Sequence, residues 1–91
     1  MNKEDALKQI DGYLFSSKDC LRVALEEVHD GLISKRSAWQ KAADNCKACI
    51  SELEALRTTI LTMSPEEYAK SWSKLPRSSD ILARNSPRHA Y

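Results

Sequence analysis

Trp39, Ala42, Cys46, Cys49, Leu53, Leu56, Ile60 and Met63 follow one another at alternating steps of three and four residues, with mostly polar residues between them. Residues three and four apart share one face of a helix, so this spacing predicts a helix of about seven turns carrying a single apolar seam. The rest of the chain has to cover it. A second stripe of the same kind lies upstream, where Leu7, Ile10, Leu14, Ser17, Leu21, Ala24 and Val28 also step by three and four, flanked by Tyr13, Phe15, Cys20 and Leu25. Two stripes of similar length joined by a short connection predict antiparallel neighbours, a helical hairpin.

Local signals set the ends of these helices. Asn2 is suited to cap the first helix, with Glu4 and Asp5 in the turn where carboxylates complement the helix dipole. Asp11-Gly12 and Ser16-Ser17 weaken its middle, since glycine costs about 1 kcal/mol in a helix interior and serine competes for backbone hydrogen bonds. One helix with a weak centre is expected over residues 3–29. His29-Asp30-Gly31 ends it, with glycine expected in the left-handed position past the last turn. Ser34 or Ser37 is then expected to cap the second helix, over residues 34–63. Ser64-Pro65-Glu66-Glu67 is the clearest local signal in the chain: serine as N-cap, proline at the first helical position and Glu67 completing a capping box. It stops the long helix and starts a third, over residues 65–74, which presents Tyr68, Trp72 and Leu75 at steps of four and three and ends before Pro76.

These signals predict an all-α fold: an antiparallel helical hairpin of two long helices with a short third helix, forming one domain over residues 1–75. Residues 76–91 read as a loose basic C-terminal tail, in which Ser79 suits the cap of a single turn holding Ile81 and Leu82.

The chain's 91 residues bound it to one domain with a small core. At 42% hydrophobic and 30% charged residues the composition is that of a folded globular domain, and no apolar run approaches the roughly eighteen residues of a membrane span. Met-Asn-Lys-Glu-Asp lacks the features of a signal peptide, so a cytoplasmic location, with reduced thiols and no membrane association, is expected. The formal net charge is +1, unevenly spread: residues 1–30 hold four basic and seven acidic side chains, and residues 74–91 hold four basic and one acidic.

No motif names a catalytic activity. Cys46-Lys-Ala-Cys49 has the spacing of redox and metal sites, but it falls mid-helix on an apolar face, away from the helix N-terminus that lowers a thiol pKa. With Cys20 it offers three thiolates, one short of a structural zinc set, so packing is the expected role and thiolate metal binding the alternative; no metal and no cofactor is expected. Neither His29 nor His89 has a sequence-local Ser, Cys or Asp constellation that implies a nucleophile and base, and the chain lacks a glycine-rich phosphate loop, so no enzyme is expected. Lys35, Arg36 and Lys41 after a turn resemble the start of a recognition helix, but a helix near thirty residues long is a poor match, and Glu26, Glu27 and Asp30 would face the same phosphates.

The remaining signal is aromatic. Trp72 with Tyr68 and Leu75 either covers the open end of the hairpin or faces a partner, and aromatics and arginine are the residue types enriched at binding hot spots. Phe15, Leu25, Ile50 and Leu61 fall beside the seams and call for further cover. A small non-catalytic protein that binds a larger protein, as an adaptor, chaperone-like subunit or inhibitor, is the expectation, with Tyr68, Trp72, Leu75, Arg77, Arg84 and Arg88 as contact residues. A homodimer is compatible with the uncovered flanks. A dimeric nucleic-acid-associated regulator using Lys35, Arg36, Lys41 and the basic tail is the alternative.

Overall fold

The computed structural model describes residues 2–85, and the fold is an all-helical hairpin. Helix α1 spans Lys3–Asp30 and α2 spans Arg36–Leu61, joined by a 3-10 turn at Ile33–Lys35. Helix α3 (Pro65–Ser71) continues into a 3-10 turn at Trp72–Lys74, and α4 spans Ser78–Arg84. Asn2 caps α1 by accepting the Asp5 N–H at 2.8 Å. The weak centre of α1 does not break: Gly12 and Ser16 face solvent, and Ser17 sits in the interface, where its hydroxyl lies 3.5 Å from Cys49 Sγ. Packing against α2 outweighs the propensity cost.

The hairpin turn departs from two expectations. Gly31 has φ −82° and ψ −177°, extended and not left-handed. Glycine is required there because a Cβ would collide with the Glu27 carbonyl oxygen, which accepts the Gly31 N–H at 2.9 Å. Neither Ser34 nor Ser37 caps α2; its N-cap position is Lys35, without a side-chain cap bond, and the 3-10 turn leads the chain into the helix.

The core is built from both seams and the two short helices. Ile10, Leu14, Cys49, Leu53, Leu56 and Ile60 are buried together with Ala6, Tyr68 and Ile81, and Ile50 packs against them from the flank. Full burial of side chains such as Ile10 and Leu53 contributes about 1.5–3 kcal/mol each. Nearer the turn the interface rotates off the predicted seam, so that Ala43 is buried while Ala42, Cys46 and Trp39 are half-covered. Toward the turn α1 contributes buried Ala24, and neither it nor Ala43 belongs to the core cluster that Tyr68 of α3 and Ile81 of α4 join.

The end opposite the turn is closed in three steps. Lys3 donates from Nζ to the Met63 carbonyl at 2.6 Å, pinning the start of α1 to the end of α2. Ser64 caps α3 by accepting the Glu67 N–H at 3.2 Å, the serine half of the predicted capping box; the Glu67 side chain makes no return bond to the Ser64 N–H among the described residues. Past Pro76 the segment read as loose tail begins with α4, which docks through buried Ser78 and Ile81. Arg88 and the rest of residues 86–91 lie outside the described residues.

Candidate functional site

A cleft of about 320 Å³ opens where α1, α2, α3 and the link into α4 meet. Its floor is apolar, formed by Ala6 and Ile10 from α1 and Leu56 and Ile60 from α2. Tyr68, Trp72, Leu75 and Arg77, four of the six residues singled out from sequence, line its walls and mouth together with Pro76 and Ser79. The volume is at the lower end of the roughly 300–1,000 Å³ of ligand pockets.

The four residues have different standing. Tyr68 is 6% exposed and belongs to the core, so it serves as a wall and not as a free contact. Its burial follows from the cap at Ser64, which sets the direction of α3 and places the fourth helical residue in the core cluster that holds Ile10 and Leu56. Trp72 is 44% exposed, an amphipathic ring with one side on the protein and the other in solvent. Leu75 is half-buried against the core, and Arg77 is exposed.

Arg84 is placed elsewhere. Its guanidinium donates to Glu52 Oε1 at 2.8 Å, and Asn85 Nδ2 donates to Glu52 Oε2 at 2.7 Å, so one carboxylate on α2 holds the end of α4. These two bonds, Arg84 first, lower the Glu52 pKa below the usual carboxylate range. Arg84 lines a second, shallower depression with Leu75 and Pro76. Its role in the structure is to anchor a helix, as the Arg84–Glu52 spacing across 32 residues of sequence could not disclose.

Two cleft residues had no signal in the sequence. Ser78, buried at the start of α4, donates its hydroxyl to Gln9 Oε1 at 2.9 Å, and Gln9 Nε2 donates to the Tyr13 hydroxyl at 3.5 Å. This chain ties α4 to α1 across the side of the cleft. Ser78 is followed by Ile81 three residues on, a helical step that marks both for one face, but two residues make a faint pattern.

The three cysteines do not converge on a ligand set. Cys20 is exposed, Cys46 half-buried and Cys49 buried beside Ser17. Burial pushes the Cys46 thiol pKa up, with smaller contributions from nearby Cys20 and Cys49, which makes thiolate formation harder there. Among the described residues no group of three or more His, Cys, Asp or Glu side chains is placed to hold a metal ion. Lys35, Arg36 and Lys41 are exposed at the start of α2, next to exposed Leu32 and Ile33 and to the acidic end of α1. Among the described residues no helix is long and apolar enough to cross a membrane. No protein-family model, no curated protein and no solved structure matches the chain.

Proposed function

We propose that the chain is a small non-catalytic helical protein that binds a larger protein partner, as an adaptor, a chaperone-like subunit or an inhibitor, through the cleft at the closed end of the hairpin. The observation that carries this reading is the gathering of Tyr68, Trp72, Leu75 and Arg77 around one opening, with the Trp72 ring half in solvent. A tryptophan on a pre-formed apolar cleft is the arrangement of a hot spot, where truncation to alanine costs 2 kcal/mol or more of binding.

Tagged protein purified from its source cells, followed by mass spectrometry, tests the reading. A partner retained by the wild type is expected to be lost with Trp72→Ala, whose binding should fall about thirtyfold or more, the equivalent of 2 kcal/mol. Leu32→Ala, at the far end of the hairpin, should leave capture unchanged. Equal capture by Trp72→Ala and wild type, or loss with Leu32→Ala alone, would move the interface away from the cleft.

A further inference from the structure

The cleft's uncommitted chemistry points to the kind of segment it takes. Its polar wall is largely satisfied: Ser78 is bonded to Gln9, and Gln9 to Tyr13. Of the residues that line it, Arg77 alone carries a full charge, and it has no ion-pair partner among the described residues. The neighbouring depression shows the contrast, since its arginine, Arg84, is neutralised by Glu52 at 2.8 Å. What remains unpaired at the cleft is an apolar floor, an aromatic wall and one cation at the mouth.

Resting on the function proposed above, we infer that the cleft seats one large apolar or aromatic side chain of a partner's peptide segment, with a nearby aspartate or glutamate of that segment paired to Arg77. At about 320 Å³ the opening holds one such side chain with its adjoining backbone and is too small for the whole face of a helix. A basic segment would bring like charge to Arg77, so the same contact that adds affinity for an acidic segment selects against a basic one.

Short random peptides displayed on phage and selected against the immobilised full chain provide the test. Enriched sequences should pair Trp, Phe, Leu or Ile with a close acidic residue. A synthetic peptide of that type should shift the backbone amide resonances of Ala6, Ile10 and Ser78 and the Trp72 indole. Arg77→Glu, a change at an exposed position that far-UV circular dichroism should show to be folded, is expected to weaken that peptide about tenfold. Selection on the variant should favour Lys or Arg beside the anchor. Binding abolished by Trp72→Ala yet unchanged by Arg77→Glu would overturn the charge inference and leave the cleft as the binding site. Peptides that bind both variants as tightly as the wild type would overturn the cleft itself. Enrichment of basic segments, or failure of any peptide to enrich, overturns the inference. Concentration-dependent shifts of the same resonances without peptide would assign the cleft to a second copy of the chain and overturn it too.

Discussion

Gly12 and Gly31 are the chain's two glycines, and they make opposite demands. Gly12 lies inside α1 with nothing within 4 Å of where a Cβ would stand, so its glycine serves no packing purpose in this fold. Gly12→Ala removes the backbone entropy penalty and should stabilise the protein by about 1 kcal/mol, raising its melting temperature by roughly 4–8 °C. Gly31→Ala forces a methyl into the Glu27 carbonyl and should lower it; thermal unfolding followed by circular dichroism reads both. The presence of a glycine at the turn is plain from sequence, but its reason is not, because a close approach between residues four apart depends on the backbone angles at Gly31. The same limit applies to the seam. Cys49, Leu53, Leu56 and Ile60 are buried as their spacing predicts, whereas the fuller burial of Ala43 than of Ala42 depends on how the two helices meet near the turn, which spacing along one helix does not carry.

At the level of elements, the long helices were legible because each repeats its pattern many times, and α3 because serine, proline and glutamate stand in fixed positions before it. Helix α4 has seven residues, under two turns, and no such cap, its N-cap position being Arg77 without a side-chain bond. A helix this short has little stability of its own and forms where it docks. Its contacts are Ser78 with Gln9, Ile81 in the core and the bonds from Arg84 and Asn85 to Glu52. The Glu52 pKa is lower in the folded protein than in the unfolded chain, so the contact stabilises above the ordinary glutamate value, about 4.3, and is lost as pH falls below it through the folded value. Hydrogen exchange at the Asn85 amide, which donates to the Ile81 carbonyl at 3.2 Å, should therefore accelerate relative to that of Leu53 as the pH is lowered through this range. Glu52→Gln should make α4 less protected at neutral pH and remove that difference. A fixed exchange ratio across the titration in the wild type would show that α4 docks without the carboxylate.

The whole molecule is a rod of 52 × 22 × 15 Å with a radius of gyration of 15.4 Å, against about 12 Å for a compact domain of this length. Its elongation follows from closing only one end, since α3 and α4 cover the base of the hairpin and leave the turn as two helices meeting through Ala24 and Ala43. Among the described residues the large apolar side chains left exposed are spread along this rod: Phe15 and Val23 on α1, Leu32 and Ile33 at the turn, Leu61 and Trp72 at the base. A stable symmetric dimer buries about 800 Å² per subunit in one self-complementary patch, and side chains separated in this way do not form one. The isolated protein should therefore be a monomer. Light scattering should return the chain mass of 10.3 kDa, and small-angle scattering a radius of gyration near 15 Å that does not change with concentration. Twice that mass at micromolar concentration would mean that the flank of the hairpin is an interface between copies. In that case the four-helix arrangement would have to bury Phe15, and Phe15→Ser should return the chain to a monomer while leaving the cleft around Trp72 intact.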